Sequence, residues 1–138
     1  MSNSGIVPIA PVWAWEKDLP PAPGVQINQT IYLSGQLALD RDGNLVGPGD
    51  LIAQTRQCFS NIRDILARAG AGMNNVVKMT TYFTTKLSLE HAQDYWKVRQ
   101  EFFGLHRPAS TGVQVQSLLY PECLLEIEVI AVTPGGTQ

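Results

Sequence analysis

The sequence predicts a single α+β domain in which two helices pack on one face of a mixed β-sheet. The chain has 138 residues, of which 44% are hydrophobic and 16% are charged, and this length suits one domain with its own core. Two segments space their apolar residues as amphipathic helices do, and about six short segments show the alternation typical of strands. Two helices can cover one face of such a sheet and no more, so we expect the other face to stay open.

The charge balance and the lack of long apolar runs exclude several functional classes. Ten basic residues oppose twelve acidic ones, giving a net charge of −2, and this provides no basic field to hold a nucleic-acid backbone. No stretch approaches the roughly 18 apolar residues of a membrane span. The first residues lack the basic and apolar segments of a secretion signal, and two cysteines cannot form a disulfide framework. We therefore expect a cytoplasmic protein without nucleic-acid or membrane partners.

The N-terminal part of the chain predicts a β-hairpin after an irregular segment. Residues 1–12 and 134–138 are rich in Gly, Pro, Ser and Thr and are predicted to be the tails of one domain, 1–138. The prolines within 19–24 forbid a helix there. Residues 25–36 contain alternating apolar and polar side chains, which is typical of a hairpin.

Two helices and three further strands are predicted in the rest of the chain. The first helix begins after Asp50, whose side chain can cap it, and stops at Gly70. The second helix begins near Ser88 and ends at Gly104, and Pro108 prevents its extension. The predicted segments are helices over 51–69 and 88–104 and strands over 76–84, 110–117 and 124–132.

The last predicted strand carries two carboxylates on the face that the helices leave open. Its alternate residues divide into an apolar set for the core and a mixed set for the open face. The apolar set is Leu125, Ile127, Val129 and Ala131, and the mixed set is Leu124, Glu126, Glu128, Ile130 and Val132. A face this mixed favours packing against another subunit, where carboxylates lose solvation and gain proton affinity. An acidic residue on a strand is more often simply exposed, so the pattern alone does not establish catalysis.

Several short motifs occur in a fixed order along the chain. They are IYLSGQ at 31–36, QTRQ at 54–57 followed by Asn61-Ile62, VVKMT at 76–80, Phe102-Phe103, RPAS at 107–110 and LEIEVIAV at 125–132. No single motif is specific, but the ordered set resembles the Rid family, the YjgF-like reactive intermediate deaminases. The resemblance covers about residues 25–133.

The resemblance implies the α+β fold of the trimeric bacterial chorismate mutases. It also implies a homotrimer with three sites in the clefts between subunits, in agreement with the open sheet face expected from the pattern. The implied activity is hydrolysis of the enamines and imines that pyridoxal-phosphate enzymes release, giving a keto acid and ammonia. No cofactor and no metal are implied.

The resemblance assigns site residues one position at a time. The family's glutamate on the last strand matches Glu128, which would activate the attacking water. The Ser-Gly pair after the second strand matches Ser34 and Gly35, whose backbone and hydroxyl would face the ligand. The aromatic residue of the family's N-terminal segment has no clear match, and Trp13 or Trp15 could fill its space.

The chain departs from the family at the arginine that grips the substrate carboxylate. That position is Ser110 here, the cysteine two residues later is Gly112, and the asparagine of the second helix is Trp96. A serine hydroxyl cannot replace a charge-assisted hydrogen bond worth about 1.5–3 kcal/mol. We therefore predict a substrate other than 2-aminoacrylate, either neutral or larger, in a pocket shaped by Ser110, Thr111 and Trp96.

Two other arginines could supply the missing charge. Arg107 is close in sequence to the vacated position, and Arg99 lies on the apolar stripe of the second helix. A surface salt bridge is the more common role for such residues. The sequence leaves the choice open.

Metal sites and cysteine nucleophiles are not indicated. His91 and His106 do not stand at a metal-ligand spacing, and no cysteine joins them. Cys58 lies on the core face of the first helix, and Cys123 stands near carboxylates that disfavour its thiolate.

Three functions are compatible with these observations. The leading hypothesis is an imine or enamine hydrolase in which Glu128 is the general base and backbone donors near Ser34 or Gly112 support the developing charge. The second is a ligand-binding or protective module without turnover, motivated by the missing arginine and asparagine. The third is a pathway-specific amide or enamide hydrolase on the same fold.

Overall fold

The computed structural model describes residues 5–134, which form a six-stranded mixed sheet with three helices. The strands are β1 Ile6–Pro8, β2 Gly24–Ile27, β3 Thr30–Leu33, β4 Val76–Phe83, β5 Ala109–Gln114 and β6 Leu125–Val132. The helices are α1 Ala14–Lys17, α2 Leu51–Arg68 and α3 Leu89–Phe103, and a 3₁₀ turn covers Met73–Asn75. The strand order is β1-β2-β3-β6-β4-β5. The predicted α+β class is confirmed.

The long helices begin and end within one residue of the predicted bounds. The Asp50 carboxylate accepts a hydrogen bond from the Ala53 amide at 3.0 Å, and the Ser88 hydroxyl accepts one from the His91 amide at 3.2 Å. These side chains cap helix N-termini whose first amides have no partner within the helix. Gly70 follows the end of α2 and has a φ of +75°. Glycine tolerates this left-handed backbone conformation, which commonly ends a helix.

The core lies between the two long helices and one face of the sheet. In β6 the buried and half-buried residues alternate, and Leu125 and Ile127 have no solvent exposure. Phe59 of α2 is fully buried and meets the Phe103 ring of α3 edge-on, with centroids 5.6 Å apart. The predicted division of β6 into a core face and an open face is confirmed.

The register of β4 decides which predicted site residues share a face. Antiparallel pairing sets Thr80 beside Glu128, and parallel pairing sets Thr80 beside Thr111. Because paired residues project to the same side of a sheet, Thr111 and Glu128 lie on the open face. Ser110 and Gly112 pair instead with the buried residues Met79 and Thr81, so the Ser110 side chain projects toward the helices.

Three short elements were not predicted, namely β1, α1 and the 3₁₀ turn at Met73–Asn75. Strand β1 lies inside the segment 1–12 expected to be a tail, and it pairs antiparallel with the edge of β2. Only residues 1–4 and 135–138 of the predicted tails lie outside the described residues. Three residues are too few to show the alternation of apolar and polar side chains that predicts a strand. This strand is therefore recognised only by its pairing with β2.

Helix α1 is a single turn fixed by tertiary contacts. The buried carboxylate of Glu16 accepts hydrogen bonds from the amides of Val12 and Trp13 at 3.0 and 2.9 Å. It also pairs with Arg68 of α2 at 3.1 Å. This pair ties the N-terminal segment to the second helix. None of the described helices is long and apolar enough to cross a membrane.

The strand predicted over 110–117 ends earlier, at Gln114. Strand β5 pairs only with β4 among the described strands, and the last residue pair joins Phe83 to Gln114. Since β4 stops at Phe83, the residues beyond Gln114 have no strand to continue along, apart from one hydrogen bond from the Val115 amide to the Phe83 carbonyl at 2.7 Å.

Candidate functional site

A hollow of about 310 Å³ lies where the chain leaves β3 and passes beside the start of β6. We call it the Glu126 hollow. Its walls include Trp15, Leu19, Ser34, Gly35, Tyr120 and Glu126. The proline-rich segment 20–23 closes one side, so the irregular stretch predicted from its prolines becomes a wall of the site.

A local irregularity brings Gly35 directly over Glu126. Tyr32 pairs with Ile130, and Gln36 pairs with Ile127. The chain thus advances four residues from Tyr32 to Gln36 but only three along β6 between their partners. Such a mismatch is typical of a β-bulge, which re-aims the neighbouring residues. A β-carbon added at Gly35 would lie 2.7 Å from Oε2 of Glu126. The carboxylate therefore occupies space that only a glycine leaves free.

The environment of Glu126 favours proton transfer. Burial raises the pKa of its carboxyl, and the negative charge of Glu128 raises it further. A carboxylate with a raised pKa is a stronger base once it is ionised. Such perturbed groups are common at catalytic sites, although structural networks also produce them.

Ser34 and Gln36 hold the backbone around this carboxylate. The Ser34 hydroxyl donates to the Ala22 carbonyl at 2.6 Å, which fastens the proline-rich wall to the end of β3. The backbone N–H of Gln36 donates to the Ile127 carbonyl at 2.8 Å, and the backbone N–H of Ile127 donates to the Gln36 carbonyl at 3.1 Å. The predicted Ser34 and Gly35 thus belong to one hydrogen-bonded corner with Glu126.

Glu128, the glutamate that the sequence singled out, lies outside this corner. It projects from the same face as Glu126, two residues further along β6, and it helps to line a separate hollow of about 240 Å³ with Tyr32 and Lys78. The Tyr82 hydroxyl donates to Glu128 Oε1 at 2.5 Å. This hydrogen bond, with burial, raises the pKa of Tyr82. The structure does not bring Glu128 together with Ser34 and Gly35.

A third hollow, of about 520 Å³, lies between α3 and the edge strand β5. We call it the Arg99 hollow. It gathers the remaining predicted residues, and its walls include Leu87, Trp96, Arg99, Ser110, Thr111 and Gly112. The indole of Trp96 is 50% exposed at its rim, so this aromatic residue is not part of the core.

Arg99 occupies the place beside Ser110. Its Nη1 donates to the Ser110 hydroxyl oxygen at 2.7 Å, and its Nη2 donates to the Pro108 carbonyl at 2.9 Å. Its guanidinium carbon lies 5.9 Å from the centre of the Phe103 ring. Arg107 lines a neighbouring hollow that Trp96, Arg99 and Ser110 also border.

The two main hollows have no lining residue in common. The Glu126 hollow is at the β3–β6 boundary, the Arg99 hollow is at β5, and β4 lies between them in the sheet. One chain therefore does not bring the predicted residues into a single pocket.

The remaining candidates lie in different surroundings. Of the two tryptophans proposed for the N-terminal aromatic position, Trp15 lines the Glu126 hollow and its indole donates to the Asp40 carbonyl at 2.9 Å. Trp13 stacks instead under Arg68. The buried thiol of Cys58 has a pKa raised well above its usual value by burial, which disfavours the thiolate.

The histidines contact backbone carbonyls. His91 Nδ1 lies 2.9 Å from the Lys86 carbonyl oxygen, and His106 Nε2 lies 2.6 Å from that of Val76. Across residues 5–134, no three His, Cys, Asp or Glu side chains come together as a metal-binding group would.

The chain is similar in sequence and in structure to proteins of one family. The family model described as Endoribonuclease L-PSP matches residues 20–133. A RutC family protein of Pyrococcus abyssi is 34% identical over 115 residues, which cover 81% of this chain and 85% of the relative. The 2-iminobutanoate/2-iminopropanoate deaminase of Mus musculus is 34% identical over 113 residues, which cover 82% of this chain and 81% of the relative. The crystal structure of YyfA from Yersinia pestis, a Rid-family protein of unknown function, superposes with a TM-score of 0.78 at 28% identity and covers 93% of this chain and 99% of that one.

Proposed function

We propose, since the chain belongs to the Endoribonuclease L-PSP family, also called the YjgF or Rid family, that it is an imine deaminase. It would hydrolyse the C=N bond of a small imine or enamine to a carbonyl compound and ammonia. The mouse relative, whose name states this activity, supports the reaction class. The net charge of −2 favours a small molecule over RNA, although the family description names a ribonuclease.

The position of Glu126 is the observation that carries this proposal. Hydrolysis of an imine needs a base that removes a proton from water while the water oxygen attacks the C=N carbon. The nitrogen takes up a proton, and the tetrahedral intermediate then releases ammonia as the carbonyl forms. A half-buried carboxylate with a raised pKa, held against a bare backbone at Gly35, can move these protons.

We assign the base to Glu126 rather than to Glu128. Both side chains project from the open face, but only Glu126 lies in a hollow with Ser34 and Gly35. Glu128 is engaged by the Tyr82 hydroxyl. Its contribution is the negative charge that raises the proton affinity of its neighbour.

The complete site would form between copies of the chain in a homotrimer. The open sheet face carries exposed apolar side chains, among them Tyr32, which is 45% exposed, and Val132, which is 38% exposed. A second copy covering this face would bury them. It could also bring the Arg99 hollow of one copy toward the Glu126 hollow of the next, which would unite the residues that one chain keeps apart.

Ammonia release with two matched variants tests the assignment. The substrates are imines generated in situ from several amino acids and from amines without a carboxylate, each measured against its uncatalysed hydrolysis. We expect Glu126→Gln to lower kcat by about 10²–10⁴-fold because the base is lost. Glu128→Gln should lower it by less than about 10-fold, since only a supporting charge is removed.

Glu101→Gln is the control, because Glu101 pairs with Arg56 on the exposed side of the helices and touches neither hollow. An unchanged rate for Glu126→Gln would contradict the assigned base. A large loss with Glu128→Gln alone would move the role to that residue. If ligands raise the thermal stability of the protein while no substrate yields ammonia, the binding module is the better description.

A further inference from the structure

Arg99 presents a cation to a hollow with largely apolar walls. It reaches from α3 across to the start of β5, where its guanidinium lies against Ser110 and the Pro108 carbonyl. Phe83, Leu87 and Trp96 line the same hollow. A guanidinium that borders apolar walls is a strong site for an anion with an attached hydrocarbon part.

Among the described residues, the charge of Arg99 has no carboxylate partner. The ion pairs among residues 5–134 join Arg56 to Glu101 and Arg68 to Glu16 and Asp64, and none includes Arg99. The partners of Arg99 are a hydroxyl, a carbonyl and the face of the Phe103 ring. The surface salt bridge that the sequence favoured is thus not its role in this structure.

The guanidinium is oriented but retains unused donors. An arginine has five N–H groups in a planar fork, and Arg99 directs two of them to Ser110 and Pro108. The hydroxyl hydrogen of Ser110 is free to donate because its oxygen is the acceptor in that contact. These donors match the geometry of a carboxylate, which accepts from a fork of N–H groups and a neighbouring hydroxyl.

We propose that Arg99, positioned by Ser110, binds the carboxylate of the substrate from the helix side of this hollow. The preferred substrates are then 2-imino acids with an apolar side chain larger than a methyl group, whose hydrocarbon part contacts Phe83, Leu87 and Trp96. The assignment of an imino acid rests on the proposed deaminase function. The carboxylate site itself does not depend on turnover.

Binding of two stable analogues tests the proposal. The probes are 4-methyl-2-oxopentanoate, the keto acid expected from a leucine-derived imine, and its neutral carboxamide, both measured by calorimetry on the full-length protein. We expect the wild type to bind the keto acid more tightly. Arg99→Met should raise the Kd of the keto acid by about 10- to 100-fold and change that of the carboxamide by less than about 2-fold.

Arg99→Lys separates charge from packing, since it keeps the cation without the fork and should recover part of the affinity for the keto acid. Arg63→Met is the matched control, because it also removes a guanidinium that lies over an aromatic ring, that of Phe102. It controls for the loss of such a contact outside the Arg99 hollow. Thermal unfolding without ligand confirms that each variant is folded.

The outcomes separate this proposal from the deaminase function. The carboxylate site is overturned if the wild type shows no preference for the keto acid, if Arg99→Met weakens both analogues equally, or if Arg107→Met rather than Arg99→Met removes the preference. If the preference depends on Arg99 but no imine yields ammonia, the carboxylate site stands and the deaminase function fails.

Discussion

The Glu126 hollow and the Arg99 hollow differ in what each can do to a ligand. The first offers a carboxylate of raised proton affinity beside a bare stretch of backbone at Gly35. The second offers a guanidinium and a hydroxyl among apolar side chains. One can move a proton and the other can hold an anion. Neither hollow contains both groups, so the site that we propose requires that they meet.

The difference follows from where the two hollows lie in the sheet. Glu126 projects from β6, an interior strand that pairs with β4 beside Glu126 and with Gln36 on its other side. Arg99 is carried by a helix, and its partner Ser110 belongs to the edge strand β5. In the proposed site, the group that binds the anion is thus carried at the edge of the sheet, apart from the proposed base on an interior strand.

After loss of the Glu126 carboxylate itself, the next largest effect on that side should come from filling the space beside it. In Gly35→Ala the new β-carbon would approach Glu126 Oε2 to 2.7 Å, so the carboxylate must move. A displacement of about 1 Å at a catalytic group can cost about 100-fold in rate, and we expect kcat to fall by about 10- to 100-fold. Steady-state ammonia release measures this.

Folding should be nearly unaffected by this change. The colliding atom is the end of a flexible side chain, and the φ angle of Gly35 is not positive, so alanine can adopt the backbone there. Gly72→Ala is the matched control because an added β-carbon meets nothing within 4 Å. Full activity of Gly35→Ala would show that the exact position of Glu126 is unimportant for turnover.

A smaller effect concerns stability and its pH dependence. Because burial and Glu128 raise the pKa of Glu126 in the folded state, the protonated form stabilises the fold. That stabilisation is complete below the unfolded pKa, near 4.5, and is lost as pH rises through the folded pKa. At pH 8 the ionised group therefore destabilises the protein, and Glu126→Gln removes this cost.

We expect Glu126→Gln to raise Tm by about 1–4 °C at pH 8, with the gain shrinking as the pH falls toward 4. Scanning calorimetry at one protein concentration checks this. Glu101→Gln should shift Tm in the opposite direction, because Arg56 lowers the pKa of Glu101 and ionisation there favours folding. A lower Tm for Glu126→Gln at pH 8 would contradict this, because it would mean that the ionised carboxylate stabilises the fold.

Much of the fold could be predicted because its local signals agree with its tertiary contacts. Asp50 and Ser88 cap helices whose apolar stripes reach the core, and β6 alternates along its whole length. Strand β1 and helix α1 escaped prediction because they are three and four residues long. They are held by pairing with β2 and by the Glu16–Arg68 pair rather than by local pattern.

The site could be predicted only in part because its decisive contacts are not local. Glu126 and Glu128 have the same position in the alternation, so periodicity could not choose between them. The extra residue between Tyr32 and Gln36 makes that choice, since it places Gly35 over Glu126. The contact between Arg99 and Ser110 depends on how α3 docks beside β5, which no sequence motif encodes.

The most direct test of the account asks whether two copies share one site. Glu126→Gln disables the first hollow, and Ser110→Trp fills the second, where Ser110 is exposed. Each variant alone should be inactive. Light scattering should give the mass of a trimer. Refolding an equal mixture of the two variants should restore about a quarter of wild-type activity. In random trimers, about a quarter of the interfaces join an intact Glu126 hollow to an intact Arg99 hollow. A fully active monomer, or mixed trimers with no restored activity, would contradict a site built from two chains.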